Sequence, residues 1–297
     1  DLTVPMARYV AANMEKLDFP FKRYQIQKAW RGERPQDGRF REFMQCDIDV
    51  VDTREIPLHF DVEIPTIMHQ VLKSIDAAPV CTKINNRKIL EGYYSGLNMD
   101  NTSAAIRLID KLDKIGFDGV ADLLKVELRL NTKTIDKIFQ LTQIRGSGQQ
   151  VVDQIQRLGV QSELLDQGLT ELTFVMQELE HIDKEAFSVD LSIARGLAYY
   201  TGTVYETRFV EYPTYPSICG GGRYDNLVGD FVNKRLPGIG ISIGLSRIFA
   251  KLLKEQRIKT DKKSPTEILV IHSRGAPYQL VSKTAQTLRQ RGFNVEQ

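Results

Sequence analysis

The feature of this sequence that most constrains its fold is a pair of extended segments joined by a charged connection, residues 24–50. The first segment, 24–31, has no helical repeat, and the second, 41–50, alternates in a way typical of a strand. One strand face is expected to carry Met44, Cys46, Ile48 and Val50, and the other Phe43, Gln45, Asp47 and Asp49. The stretch therefore predicts a β-hairpin with a polar pair, Gln45 and Asp49, on one face.

The connection between the two segments, residues 32–40, is rich in arginine. It contains Arg34 and Arg39, and Arg31 and Arg41 stand at its ends. A guanidinium group suits phosphate because its planar fork makes paired, charge-assisted hydrogen bonds. A solvated hairpin with ordinary surface charges would have the same composition. The residues alone thus leave a polyanion site and a plain surface hairpin both open.

Bulk properties exclude several classes of protein. The net charge is +2 over 297 residues, so any nucleic-acid contact must come from local patches. The three cysteines and four histidines lack the spacing of a disulfide framework or a metal site. No apolar run is long enough to span a membrane and no signal peptide is present, which favours the cytoplasm. Because the chain opens without methionine and stops as a strand begins, we expect it to be part of a longer chain.

Further along, the composition and hydrophobic periodicity of the sequence change twice. Residues 102–184 are poor in glycine and carry four helical stripes, whereas the flanking stretches favour strands. Residues 58–62 are predicted to form a short strand before a helix over 64–75. The last part, 268–295, predicts a strand, a helix and a second strand. The chain is therefore expected to be an α+β protein of more than one domain.

Several motifs of this chain resemble those of the class II aminoacyl-tRNA synthetases, and in detail the histidyl-tRNA synthetases. Motif 2 is matched by Arg31, Glu33, Gly38-Arg39-Phe40-Arg41, Phe43, Gln45 and Asp49. Shortly ahead of it stands Asp1-Leu2-Thr3, similar to the family's Asp/Glu-x-Thr. The histidine-specific motif is matched by Arg195-Gly-Leu-Ala-Tyr-Tyr-Thr-Gly, with Ala198 in place of the usual acid. Residues 219–227 and 237–249 follow, and the latter resembles motif 3.

The resemblance implies an antiparallel class II synthetase sheet flanked by helices, with an all-helical insertion and the start of a C-terminal α/β anticodon-binding domain. The implied division is a catalytic core in two parts, 1–101 and 185–260, a helical insertion, 102–184, and a truncated tail, 266–297. Motif 1, which forms the dimer interface in this family, lies outside the sequence. A homodimer is therefore implied by the family alone.

The resemblance also implies a reaction, in which ATP activates L-histidine to histidyl-adenylate and the histidyl group passes to tRNA(His). Mg²⁺ would be held mainly by the triphosphate, with no structural metal and no membrane. The implied catalytic residues are Arg195 and Arg31. ATP would be bound by Arg31, Glu33, Arg39, Arg41 and Arg247. Histidine would be bound by Asp1, Leu2, Thr3, Gln45, Asp49, Arg195, Tyr199, Tyr200 and Tyr224.

Two relatives of this family offer different functions for the same motifs. One is a non-catalytic paralogue that senses histidine, the regulatory subunit of ATP phosphoribosyltransferase. The other is a synthetase-like RNA-binding domain. Retention of the motif arginines argues against the first, and an intact histidine site argues against the second.

Overall fold

The predicted hairpin is present as two strands, β1 (Phe21–Trp30) and β2 (Glu42–Val51), which pair in antiparallel register. They belong to a computed structural model that describes residues 1–194, 199–225, 227, 235–258 and 262–297. The chain divides into two compact units, Asp1–Lys251 and Leu252–Gln297. As the alternation predicts, Gln45, Asp47 and Asp49 share one face of β2.

The first unit is built on one large sheet of the described residues. Its other strands are β3 (Val80–Asn86), β4 (Arg145–Gly146), β5 (Phe187–Asp190), β6 (Tyr200–Phe209), β7 (Cys219–Tyr224) and β8 (Gly238–Ile243). The strand order is β1-β2-β8-β7-β6-β3-β5-β4, and neighbours are antiparallel except for β3 and β5. Strands far apart in sequence, β2, β7 and β8, thus lie side by side at one half of the sheet. The predicted antiparallel α+β fold is confirmed.

Helices flank this sheet. They are α1 (Thr3–Asn13), α2 (Phe60–Ser74), α3 (Arg87–Gly96), α4 (Thr102–Ile109), α5 (Leu112–Leu128), α6 (Thr132–Thr142), α7 (Gly148–Arg157), α8 (Glu163–Ile182) and α9 (Leu245–Lys254). A short 3₁₀ helix, Met14–Lys16, follows α1. Helix α2 packs on β2 and β8, and α8 packs on α3, β3 and β5. Within the described residues, no helix is both long and apolar enough to cross a membrane.

The strand predicted over residues 58–62 is wrong, because α2 already begins at Phe60. Its buried stripe runs from Phe60 through Ile64 and Met68, which is helical spacing. Asp61, in the first turn, is fully buried and accepts hydrogen bonds from the guanidinium group of Arg223 on β7. A partner 162 residues away in sequence therefore fixes the start of this helix.

The stretch predicted as a helical insertion, 102–184, is helical apart from β4, which pairs with β5. Its last helix, α8, is tied to the region of α3. Ser162 Oγ donates to Gly92 O at 2.9 Å, and Asn86 Nδ2 donates to Glu171 Oε2 at 2.7 Å. Helix α8 therefore takes part in the core of the first unit.

The second unit contains the predicted strand, helix and strand. These are β9 (Ile268–Leu269), α10 (Tyr278–Gln290) and β10 (Val295–Glu296). The two strands are parallel, and Val281 and Ala285 of α10 are buried. The order of elements in this tail is thus as predicted.

Candidate active site

One cavity of about 350 Å³ opens over β2, β7 and β8 in the first unit, and it gathers most of the residues that the motifs single out. Of the predicted site residues, the cavity is lined by Asp1, Thr3, Arg31, Glu33, Arg39, Gln45, Asp49, Tyr199, Tyr200, Tyr224 and Arg247. Residues that are distant in sequence meet here because β8 lies between β2 and β7. A volume of this size is typical of a small-molecule site.

We call one part of this cavity the acidic end, formed by Gln45, Asp47, Asp49 and Tyr224. Asp49 is buried, and Tyr224 Oη donates to its Oδ1 at 3.2 Å. The other carboxylate oxygen, Oδ2, lies 2.7 Å from Nη2 of Arg23 on β1. Burial raises the pKa of Asp49 to about 6, although Arg23 acts to lower it. The acidic end therefore holds a carboxylate that is ionised near neutral pH and already oriented.

The backbone of β8 approaches this carboxylate closely. Gly240 lies opposite Asp49 in the β2–β8 register. A Cβ atom at Gly240 would lie 2.1 Å from Asp49 Oδ1, which is far inside van der Waals contact. Glycine is required here because the carboxylate occupies the space of its missing side chain.

Two buried acceptors of the acidic end have no hydrogen-bond partner among the described residues. Gln45 Nε2 donates to Ser242 Oγ at 2.7 Å. Among the described residues, neither Gln45 Oε1 nor Asp47 Oδ1 has a hydrogen-bond partner. Burial raises the pKa of Asp47, and Ser242 and Arg23 act to lower it. Buried polar atoms are nearly always satisfied, so these two acceptors suit a ligand that brings N–H donors.

Three tyrosines form an aromatic wall beside the acidic end. The rings of Tyr199 and Tyr200 have centroids 4.5 Å apart, and the Tyr199 ring meets Tyr224 edge-on at 6.2 Å. Behind them, Met6 and Val10 of α1 form a buried cluster with Tyr224. The amphipathic helix α1 thus holds the aromatic wall in place.

We call the other part the arginine end, formed by Arg31, Arg39 and Arg247 with Glu33. Arg31 Nε lies 2.9 Å from Asp1 Oδ1, and its guanidinium group stacks over Phe43 with 5.2 Å to the ring centroid. Asp1 does not cap α1, because the N-cap position is taken by Leu2, whose side chain has no hydrogen-bond acceptor. The first residue of the chain instead joins the cavity through an ion pair.

The charged connection of the hairpin is held against the start of α9 by Arg247. Its Nε donates to Gly38 O at 2.5 Å and its Nη1 donates to Ser217 O. Tyr215 Oη donates to Arg247 O at 3.0 Å. Gly38 has φ +71°, and a Cβ atom there would lie 2.8 Å from the Tyr215 ring. Both the left-handed backbone conformation and this close contact require glycine. Burial lowers the pKa of Arg247, yet an arginine remains charged at any physiological pH.

Two predicted site residues lie outside the cavity lining, and a third is not among the described residues. Leu2 is buried and does not line the cavity. Arg41 is exposed, with its Nε 3.5 Å from Glu33 O, and does not line it either. Arg195 falls outside the described residues. Their roles remain predictions from the resemblance.

Four residues of this region have no predicted role: Arg23, Asp47, Tyr215 and Ser242. Asp47 was placed on the correct face of β2, and this alternation was the signal that pointed to it. Arg23 lies just before the first predicted segment, and only its place opposite Asp49 in the β1–β2 register marks it. Tyr215 lies in the connection between β6 and β7, where no periodic pattern marks it.

Comparison with known proteins identifies the family. Residues 1–248 match the family described as Histidyl-tRNA synthetase. The histidine–tRNA ligase of Thermobifida fusca is 52% identical over 296 residues, which cover 100% of this chain and 68% of that protein. The histidine–tRNA ligase of Finegoldia magna is 44% identical over 277 residues, covering 93% and 64%. The chain thus spans about two thirds of the length of these curated relatives.

Solved structures agree with this assignment. The crystal structure of histidyl-tRNA synthetase from Nostoc sp. PCC 7120 matches with a TM-score of 0.83 and 38% identity, covering 100% of this chain and 69% of that one. A structure from Bacillus halodurans C, titled ATP phosphoribosyltransferase regulatory subunit/histidyl-tRNA synthetase, matches at 0.76 with 22% identity, which shows the shared fold. The resemblance carried by the motifs is confirmed. The chain belongs to the histidyl-tRNA synthetase family.

Proposed function

We propose that this protein is a histidine–tRNA ligase, which activates L-histidine with ATP and transfers the histidyl group to tRNA(His). The observation that carries the proposal is the single cavity with two chemically different ends. The acidic end offers buried acceptors, and the arginine end offers cations. Histidine has an ammonium group and an imidazole to donate, and ATP has phosphates to accept. The acidic end therefore matches histidine, and the arginine end matches ATP.

In the first step, a carboxylate oxygen of histidine attacks the α-phosphorus of ATP. The new P–O bond forms as the bond from the α-phosphorus to the bridging oxygen of the β-phosphate breaks, and pyrophosphate leaves. Negative charge grows on the phosphorus oxygens during this displacement. Preorganised guanidinium groups stabilise that charge more strongly than they stabilise the ground state. In the second step, a terminal ribose hydroxyl of tRNA attacks the histidyl carbonyl carbon. The ester C–O bond forms as the bond from that carbon to the phosphate oxygen breaks, so AMP leaves and the hydroxyl proton is released.

The arginine end would hold the nucleotide. By the family pattern, Arg31 binds the α-phosphate, Glu33 reaches the adenine, and Arg39 and Arg247 bind the β/γ end. These side chains line the same cavity, which supports that division. Arg195 would bridge the histidine carboxylate and the α-phosphate, an assignment that rests on the resemblance.

The acidic end would select the amino acid. Asp49 and Tyr200 would meet the imidazole nitrogens, while Tyr199 and Tyr224 line the pocket. Asp1, Thr3 and Gln45 would meet the α-ammonium group. Asp49 already has Arg23 and Tyr224 as partners. An amino acid without an imidazole N–H would leave one of the remaining buried lone pairs of Asp49 unsatisfied, so such amino acids should bind more weakly. The unpartnered Gln45 Oε1 supports a ligand with donors at this end.

The remaining substrates and partners follow from the same family pattern. Among the described residues, no group of three or more His, Cys, Asp or Glu side chains could hold a metal ion. Mg²⁺ would therefore be held mainly by the oxygens of the ATP triphosphate, where it neutralises phosphate charge. The helices over 102–184 would contact the acceptor end of tRNA(His), and the protein would act as a cytoplasmic homodimer.

Histidine-dependent exchange of labelled pyrophosphate into ATP tests the proposal directly. A ligase catalyses this exchange because formation of the adenylate is reversible. Histidine binding without exchange would overturn the proposal and favour the histidine-sensing paralogue. RNA binding without either activity would favour the synthetase-like RNA-binding domain. Histidinol, which lacks the carboxylate, should support no exchange and serves as the matched control.

A further inference from the structure

Arg23 lies behind the acidic end, on β1, directly opposite Asp49 of β2. Its Nη2 is 2.7 Å from Asp49 Oδ2 and 4.0 Å from Asp47 Oδ2. Its Nη1 donates to Gln25 Oε1. The Arg23 side chain is largely buried, yet it is not among the residues that line the cavity. Arg23 thus lies beside the carboxylates of the site, at a position outside the cavity lining.

The charges of this group explain why a cation is needed there. Asp47 and Asp49 are two residues apart on one face of β2, and both carboxylates are buried. Two buried like charges at this spacing disfavour each other, and one of them would take up a proton if no cation were present. With Arg23 in place, the three groups carry a net charge of −1. That charge is available to a substrate that brings N–H donors.

We propose that Arg23 is a positioning residue for histidine specificity, which keeps the Asp49 carboxylate ionised and oriented toward the substrate imidazole. The inference rests on the proposed function, in which Asp49 accepts a hydrogen bond from the imidazole. Geometry supports it, because Oδ2 of Asp49 forms an ion pair with Arg23 Nη2 at 2.7 Å while Oδ1 accepts a hydrogen bond from Tyr224 Oη. Arg23 acts through Asp49 and makes no contact with substrate.

The proposal predicts how histidine binding depends on pH. Among the described residues, the charged or titratable groups that face Asp49 are Arg23 from β1, Asp47 from β2 and Tyr224 from β7, while β8 contributes Gly240. Burial raises the pKa of Asp49, and Arg23 opposes this effect. Loss of Arg23 should raise that pKa further, so Asp49 should be ionised only at higher pH.

The test is Arg23→Gln, with the KM for histidine and the KM for ATP measured by pyrophosphate exchange between pH 6 and 9. We expect the ratio of variant to wild-type KM for histidine to be on the order of ten at pH 7 and to fall toward one as pH rises. The titration of free histidine is common to both proteins and cancels in this ratio. The KM for ATP should stay within about twofold of wild type.

Two further variants on the same strand complete the series. Arg23→Lys retains a cation and should restore part of the loss, although an ammonium group lacks the planar fork. Lys28→Gln is the matched control, since Lys28 also pairs with an acid of β2, Glu42, but its side chain is 58% exposed. That control should leave the ratio at one across the pH range.

Asp47→Asn keeps the proposal falsifiable if Arg23→Gln does not fold. Removing the neighbouring carboxylate should lower the pKa of Asp49, so the ratio of KM values should rise from pH 6 to pH 8. This is opposite in sign to the Arg23→Gln trend. An active wild type with ratios that do not change with pH would overturn the role of Arg23. A wild type without exchange activity would instead overturn the proposed function.

Discussion

The two ends of the cavity differ in how far they are assembled before a substrate arrives. At the acidic end, Asp49 and its partner Arg23 have side chains only 6% and 10% exposed. At the arginine end, Asp1 and Arg31 are 51% and 40% exposed, although they also form an ion pair. The first pair is fixed by strand register, whereas the second joins a strand end to the start of α1. The acidic end is therefore held rigidly by the sheet. At the arginine end, the pair formed by Asp1 and Arg31 would have to separate when the proposed substrates bind.

In the proposed function, this difference would separate selection from catalysis. A rigid, desolvated carboxylate discriminates strongly, because a ligand without the matching donor leaves one of its buried lone pairs unsatisfied. Arg31, which is exposed, discriminates less, but it can follow a phosphate as charge moves during displacement. We therefore expect substitutions at the acidic end to act on the KM for histidine. Substitutions at the arginine end should act on kcat and on the KM for ATP.

The largest effect should come from Arg31→Ala. It removes one guanidinium donor from the α-phosphate, and loss of such a donor costs roughly 10²–10³ in rate. The kcat of pyrophosphate exchange checks this. Arg34→Ala is the matched control, because Arg34 is an exposed arginine of the same connection that does not line the cavity. A loss confined to the KM for histidine would contradict the division between the two ends.

Next in size should be Asp49→Asn, which removes the buried carboxylate but keeps its volume. Leaving the imidazole N–H with a weaker acceptor costs about 1–3 kcal/mol, which corresponds to roughly fivefold to 150-fold in the KM for histidine. The KM for ATP should change by about twofold or less. Steady-state exchange with each substrate varied in turn measures both. An equal rise in the two KM values would show that Asp49 does not select the amino acid.

A smaller effect is expected from Gly240→Ala, which tests the rigidity of the acidic end. The new methyl group would lie 2.1 Å from Asp49 Oδ1 and 2.8 Å from the backbone oxygen of Ile48, so the carboxylate must turn away and β2 and β8 must shift slightly apart. We expect a KM for histidine raised by about tenfold, with kcat retained. Gly32→Ala is the control, since no atom lies within 4 Å of the Cβ position there. Unchanged histidine binding in Gly240→Ala would mean that this end is more adaptable than its packing indicates.

The smallest effect should be that of Tyr215→Phe at the arginine end. It removes the hydrogen bond from Tyr215 Oη to Arg247 O, which is worth about 0.5–1.5 kcal/mol. The KM for ATP should rise a few-fold, while the KM for histidine stays constant. Tyr212→Phe serves for comparison. Lys251 Nζ lies 3.9 Å from the centroid of the Tyr212 ring, and phenylalanine keeps that ring. Equal KM values for ATP in the two variants would show that Tyr215 does not help to hold Arg247 in place.

The parts of the molecule that could be predicted are those with local signals. Alternation over residues 41–50 predicts that Gln45, Asp47 and Asp49 share one face. The motifs name most of the residues that line the cavity. Asp61 shows the opposite case, because its burial depends on Arg223, which reaches it only after β7 has joined the sheet. Arg23 is similar, since its pairing with Asp49 depends on hairpin register rather than on any local pattern. The predicted strand over 58–62 failed for this reason.

The ion pair between Asp1 and Arg31 has a consequence for the order in which the substrates bind. In the proposed roles, Asp1 meets the ammonium group of histidine and Arg31 meets the α-phosphate of ATP, so each substrate must break the same pair. The substrate that binds first spends free energy on separating Asp1 from Arg31. The second substrate then finds its partner residue already free of that ion pair. The pair therefore couples the two sites with positive cooperativity. Because such coupling is reciprocal, histidine should tighten ATP by the same factor by which ATP tightens histidine.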